Sequence, residues 1–351
     1  MKLFTVGPVE MYPETLKIEG TQQPYFRTPE FSSVMKDIEM WFLKSLNAPL
    51  GTEFVGLTSS GTGAMDAAVS NLLSKKDKVL VINGGSFGLR FAQMCGYYGI
   101  PFETYSIAYG EAFDKEKFEA VVGKGFTALL VNACETSTGQ KYDLDYLGTV
   151  CKQRGMLYVV DAVSAYLADE IDMERQGIDA LITASQKALA LAPGVAMVAL
   201  SENAKLRLGS GAGSFYFDFQ SYIENQRRGQ PPFTSAVGTM LALHERLRGI
   251  NARGVEKVNL EHKERAVYFR SLVRNLPLEI PTIPLSNSVT PIIFPNENAT
   301  EIYERMKNKY GIFLTPSGGD WKDKQLRVGH LGNLKLKDYD DLIEKLGGEL
   351  Q

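Results

Sequence analysis

The chain has 351 residues, 44% hydrophobic and 23% charged, with a formal net charge of -3, a composition that excludes a disordered chain and suits one large domain plus a smaller one. No run of Lys and Arg exceeds a few residues, and no segment has the apolar length of a signal peptide or a membrane span, so the expectation is a cytoplasmic protein with no nucleic-acid or membrane partner. Cys95, Cys134 and Cys151 form no CxxC pair, which argues against a disulfide framework or a structural zinc and leaves no expected metal site.

In chain order, apolar residues at helical spacing first mark Thr62 to Leu73. The Val-, Ile- and Leu-rich run Lys78 to Asn83 follows, then a helical pattern over Arg90 to Tyr98, a second run over Thr127 to Asn132 and a helix over Leu144 to Arg154. Three more runs close this part: Met156 to Asp161, Ala180 to Thr183 and Val195 to Leu200. Each is the length of a strand buried on both faces, and strand alternating with helix predicts a mostly parallel α/β sheet. Helices are expected over Thr234 to Arg248 and Val255 to Asn275. Beyond them, a strand at Thr290 to Phe294 and a helix at Thr300 to Tyr310 fit a smaller α+β domain, dividing the chain into 1–248 and 249–351.

Four stretches carry candidate chemistry. Thr58-Ser59-Ser60-Gly61-Thr62-Gly63 runs straight into a helix, where free backbone N–H groups and the hydroxyls of Ser60 and Thr62 can cradle an anion; such clusters also cap helices that bind nothing. Asp161 closes a buried strand, where a carboxylate needs a partner: a protonated pyridine nitrogen is one, a helix N-terminus or an ion pair another. Lys187, in Ala184-Ser185-Gln186-Lys187-Ala188, sits on small and apolar ground where desolvation makes an amine a better imine former; a lysine after a strand is otherwise a solvated end. Arg327, inside Lys324-Gln325-Leu326-Arg327-Val328-Gly329-His330, has the form of a two-pronged grip on a carboxylate, or of a structural ion pair.

Together these stretches resemble the class V aminotransferases, fold type I pyridoxal-phosphate (PLP) enzymes such as the alanine/serine–glyoxylate and 2-aminoethylphosphonate–pyruvate aminotransferases. The resemblance spans nearly the whole chain, and its markers stand in family order: Thr5-Val6-Gly7-Pro8, Phe26-Arg27-Thr28-Pro29, Ser60-Gly61-Thr62, Gly85-Ser86-Phe87-Gly88-Leu89-Arg90, Glu135-Thr136-Ser137, Asp161, Ser185-Gln186-Lys187 and Arg327-Val328-Gly329-His330. It implies a seven-stranded-type sheet and PLP held by Lys187 as a Schiff base, with Asp161 on the pyridine nitrogen. Phe87 and Val163 are implied on the two ring faces, Thr136 on the phenolic oxygen, and Ser60, Gly61, Thr62 and Gln186 on the phosphate. Thr234 is implied to reach the phosphate of a neighbouring subunit, hence a homodimer with shared active sites. Arg327, Gly7 and Arg27 are implied on the substrate side. Val6 and Ala133 depart from the family, which often has proline and histidine there.

The activity so implied is ping-pong transfer of an amino group from an alanine- or serine-type donor to a 2-oxo acid, glyoxylate or pyruvate, with an aminophosphonate donor as the alternative and another class V lyase behind it. A cysteine desulfurase is disfavoured because no cysteine follows Cys151, and a nucleotide-binding protein because GxxxxGK[ST] and an opening GxGxxG are both absent.

Overall fold

A computed structural model describes residues 1–211 and 213–350. Its central sheet has seven strands: β1 (Glu53–Leu57), β2 (Val79–Asn83), β3 (Phe102–Ser106), β4 (Ala128–Asn132), β5 (Leu157–Asp161), β6 (Ala180–Ala184) and β7 (Ala196–Leu200). They lie in the order β1-β7-β6-β5-β4-β2-β3. The five apolar runs are strands within one residue at each end, and β4 to β7 are buried at every position, as continuous β-branched and aliphatic sequence requires of a sheet covered on both faces. The sheet is parallel except for β7, which pairs antiparallel with both β1 and β6.

Both edge strands escaped the sequence pattern, for different reasons. β3 reads Phe-Glu-Thr-Tyr-Ser and buries only Tyr105, because it pairs with β2 alone and turns most of its surface to solvent. In β1 the run is interrupted by Gly56, where a Cβ would stand 2.9 Å from the Phe54 ring.

The helices that flank this sheet are α1 (Pro29–Ser45), α2 (Gly61–Leu72), α3 (Ser86–Tyr98), α4 (Leu144–Arg154), α5 (Val237–Arg253) and α6 (Val255–Val273). Pro29 stands at the first helical position of α1 and the Thr28 hydroxyl accepts from Phe31 N; from there Phe31, Met35, Ile38 and Phe42 line one buried stripe. The helix expected from Arg90 starts four residues earlier, after Gly85, because its first turn is tied down by a distant carboxylate described below. α5 starts three residues later than expected and continues five further, so position 249 falls inside it; the break comes at Gly254, whose φ of 85° ends the helix before α6 begins.

After α6 the chain builds a three-stranded antiparallel sheet of β8 (Val289–Ile293), β9 (Thr315–Pro316) and β10 (Gln325–Gly329), in the order β8-β10-β9, packed with α7 (Ala299–Tyr310) and α8 (Leu336–Glu349). Together with the second half of α6, these elements bury a core of their own that includes Phe269, Ile292, Met306, Leu326, Val328 and Tyr339. The N-terminus joins it: Lys2–Leu3 pairs parallel with Ile312–Phe313, and the Phe4 ring lies 5.5 Å from that of Tyr339. Burying one such ring stabilises by about 2 kcal/mol, enough to hold Val6 and Gly7 against the large sheet. Among the described residues no helix is long and apolar enough to cross a membrane.

Candidate active site

The carboxyl ends of β1, β2, β4, β5 and β6 open into one crevice, the place where open α/β sheets bind ligands. Loops leaving those ends carry Ser60 to Thr62, Phe87, Thr136, Asp161 to Val163, and Gln186 with Lys187. These residues line a cavity of about 160 Å³, together with Met65, Arg90 and Ser164.

At one end stands the start of α2. The Ser60 hydroxyl accepts from Gly63 N at 3.2 Å, and Gly61 is pressed so closely to the segment leaving β5 that a Cβ would lie 2.8 Å from Val163 Cγ2. Only glycine permits that approach. Backbone N–H groups of the first turn face the cavity with the partial positive charge of the helix terminus behind them. Arg90, one turn along α3 from Phe87, adds a full charge: its Nη1 donates to Thr62 Oγ1 at 2.6 Å and its guanidinium lies 4.8 Å from the Phe87 ring centroid.

At the other end Asp161 closes β5. Its carboxylate accepts from Asn132 Nδ2 at 2.6 Å and Val163 N at 2.8 Å. No cation lies within ion-pair distance among the described residues, and burial raises its pKa to about 6 against those two hydrogen bonds. Lys187 lies between the two ends, 9% exposed, its Nζ donating to the carbonyl of Val6 at 2.6 Å. Burial lowers its pKa to about 8, and the guanidinium of Arg327 pushes the same way.

Thr136 Oγ1 donates to Ser164 Oγ at 2.8 Å, and the Gln186 side-chain oxygen is buried without a partner. Arg327, on β10, reaches across: Nη1 donates to the Thr136 carbonyl at 3.2 Å and Nη2 to the Pro316 carbonyl at 2.8 Å, leaving Nε unpaired. Gly7 packs on Lys187 itself, as its φ of 134° and lack of a side chain allow.

Four of the residues singled out in the sequence are not among those lining this cavity: Arg327 and Gly7, which touch Thr136 and Lys187 from outside it, and Arg27 and Thr234, which lie apart from it. Arg27 donates to the carbonyls of Pro231 and Pro232 at 2.6 and 3.1 Å, so its guanidinium anchors the loop before α5 and lines a separate surface hollow. Thr234, on that loop, is exposed.

Glu135 was given no role by the sequence. It is fully buried and accepts from Phe87 N at 3.1 Å, Gly88 N at 2.9 Å and Ser137 N at 3.1 Å, which fixes the first turn of α3 and with it the Phe87 ring. Arg90 was likewise missed, although its spacing of three from Phe87 was a readable signal.

A family model, aminotransferase class-V, matches residues 20–316. The chain belongs to the class V aminotransferases. It is 30% identical over 355 residues to the soluble hydrogenase 42 kDa subunit of Anabaena cylindrica, covering 99% of this chain and 92% of that one. It is 28% identical over 366 residues to the alanine–glyoxylate aminotransferase of Oryctolagus cuniculus, with the same two coverages. Among solved structures, an aspartate aminotransferase of subgroup IV from Thermus thermophilus superposes with a TM-score of 0.92 at 26% identity over the whole of both chains. The fold is therefore that of the fold type I PLP-dependent aminotransferases, and the protein is a PLP-dependent enzyme of class V.

The site of this class V aminotransferase fits the cofactor of its family. An anionic group suits the α2 terminus with Arg90 beside it, and a protonated ring nitrogen would supply the cation that buried Asp161 lacks. Phe87 and Val163 give the cavity an aromatic and an aliphatic wall, as a flat ring requires.

Proposed function

We propose that this aminotransferase moves the amino group of a small uncharged amino acid, alanine or serine, to glyoxylate or pyruvate, working as a homodimer whose sites are shared. The observation that carries the reading is the buried pair of opposite tendencies in one cavity: Lys187 with a lowered pKa and Asp161 with a raised one, each short of a partner that PLP would bring. When bound, the cofactor supplies an electron sink conjugated to the α-carbon of the substrate.

The chain's own residues supply the rest. Lys187 is the covalent anchor and, once freed by the incoming amine, the base that carries the α-proton; a pKa near 8 suits that work at neutral pH. With the cofactor bound, Asp161 would hold the proton on the ring nitrogen, Thr136 would lie on the side of the phenolic oxygen, and Phe87 and Val163 would keep the ring flat. Ser60, Gly61, Thr62 and Gln186 take the phosphate, joined by Thr234 of the second subunit. Arg327 grips the substrate carboxylate with the donors that its two carbonyl contacts leave free, Nε among them, and Gly7 leaves room beside Lys187. The exposed Phe215 and Tyr97, 88% and 83% accessible, support a buried subunit interface. We place the division between the PLP-binding part and the C-terminal part at the Gly254 break.

The test is spectroscopic. Purified protein supplied with PLP is expected to show a visible band that borohydride fixes to Lys187, and alanine or serine alone is expected to bleach it. A donor without an α-carboxylate, 2-aminoethylphosphonate, leaves Arg327 idle in the first half-reaction and is expected to bleach it poorly. Absence of any band with PLP present refutes the proposal, and turnover that needs no oxo acid replaces it with a lyase.

A further inference from the structure

Beside the cofactor cavity, and sharing Phe87 with it, lies a second and larger one of about 520 Å³. Arg327 stands at the junction, its Nη1 on the carbonyl of Thr136, which lines the first cavity, while Arg327 itself lines the second. We propose that the side chain of the amino donor enters this second cavity, and that the donor class extends beyond alanine and serine to uncharged amino acids with an extended side chain ending in a carboxamide. The inference rests on the aminotransferase reading above, in which Arg327 holds the α-carboxylate.

Size is the first argument. The methyl of alanine would occupy a small part of a space of ordinary ligand-pocket volume, and unfilled space contributes no binding. Charge is the second. Arg327 is the one charged residue lining this cavity among the described residues. With its guanidinium committed to the α-carboxylate, a second carboxylate or a phosphonate on the side chain would be desolvated without a cation, and an ammonium without an anion. Glu135, which packs behind Gly85 of the lining, has its oxygens on the N–H groups of Phe87, Gly88 and Ser137. Lys324, its Nζ 5.8 Å from the Trp321 ring centroid, is exposed and not part of the lining.

The third argument is hydrogen-bonding chemistry. Gln325 lies two residues before Arg327 on β10, so the strand's period of two turns both toward the same face. Gln325 is fully buried; its Nε2 donates to the Ser137 carbonyl at 3.1 Å and Ser317 Oγ at 2.7 Å, which leaves Oε1 as an acceptor with no partner. The Tyr109 hydroxyl is also buried and unpaired. An unused acceptor and an unused donor in one cavity complement the NH₂ and C=O of a carboxamide. Tyr109 stacks on Trp321 at 3.6 Å between ring centroids, joining the loop after β3 to the turn before β10 and giving the methylenes of such a side chain an apolar wall.

The experiment follows bleaching of the visible band of the holoenzyme by single donors without an oxo acid: L-glutamine, L-glutamate, L-norleucine and L-alanine. Glutamine is expected to exceed glutamate in kcat/KM by about tenfold or more, and to exceed alanine. In Gln325→Leu the ratio of glutamine to norleucine is expected to fall about tenfold, since an acceptor for the amide has been removed. Trp321→Ala, on a half-exposed turn, is the second variant, and is expected to lower the ratio of glutamine to alanine. Glutamate matching glutamine, alanine exceeding it, or ratios unchanged in both variants overturns the inference while the aminotransferase reading stands. Failure of every donor to bleach the band overturns both.

Discussion

Gly7 and Lys187 are in such close contact that a Cβ on Gly7 would lie 2.7 Å from Lys187 Cδ and 2.8 Å from its Nζ. The N-terminal segment, held by Phe4 in the C-terminal core, thereby sets the position of the lysine from above, with the Val6 carbonyl accepting from its ammonium. Gly7→Ala forces a side chain into that contact at a φ of 134° that disfavours one. The dissociation constant for PLP is expected to rise on the order of tenfold, read by absorbance titration of the cofactor-free protein.

In the proposed mechanism Lys187→Ala removes both anchor and base. Turnover is expected to fall by roughly 10²- to 10⁴-fold, and borohydride treatment to leave no cofactor attached to the chain by mass spectrometry. Activity close to that of the unaltered enzyme would sink the assignment.

The lowered pKa of Lys187 has a kinetic signature. In the cofactor-free protein the neutral amine gains as pH rises through about 8, so capture of added PLP is expected to accelerate up to that pH and then level off. Arg327 is one of the two leading causes of the lowering, so Arg327→Leu is expected to move the midpoint upward. A midpoint that stays put would show that burial alone sets it.

Asp161 makes an opposite prediction for stability. Its folded pKa of about 6 lies above the ordinary carboxylate value, so the folded state holds the proton more tightly than the unfolded one. Below pH ~4 both states are protonated and the effect vanishes; as pH rises through about 6 the folded, cofactor-free protein loses stability, and above that the loss is constant. Asp161→Asn cannot ionise. Between pH 4 and 7 the difference in unfolding free energy is expected to move in the variant's favour by roughly 3 kcal/mol, measured by denaturant titration without cofactor. With PLP present the order is expected to reverse, because the variant cannot pair with a ring cation.

Glu135→Ala strips acceptors from three backbone N–H groups, two of them in the first turn of α3. A loss of about 2 kcal/mol in stability is expected, with weaker PLP retention because Phe87 is no longer held. An unchanged affinity would show that the ring is positioned by its neighbours instead.

Much of this protein is determined locally and so can be read along the chain. Continuous runs such as Leu157–Asp161 and Ala196–Leu200 admit little except a buried strand, and α4 begins and ends where Asp143 and Gly155 cap it. The small polar residues ahead of α2 and the lysine on apolar ground after β6 likewise stand out in sequence, and the fold brings them to one cavity. Tertiary structure alone decided the rest. β1 and β3 became strands because a neighbour was present to pair with, and β7 reversed direction because of its partners. Arg27 spent its donors on a loop two hundred residues away, while Glu135 and Arg90 became part of the site through contacts 47 and 28 residues distant in sequence. Propensity and periodicity act over a few neighbouring residues, whereas a buried donor takes whichever acceptor the packed chain brings within about 3 Å of it.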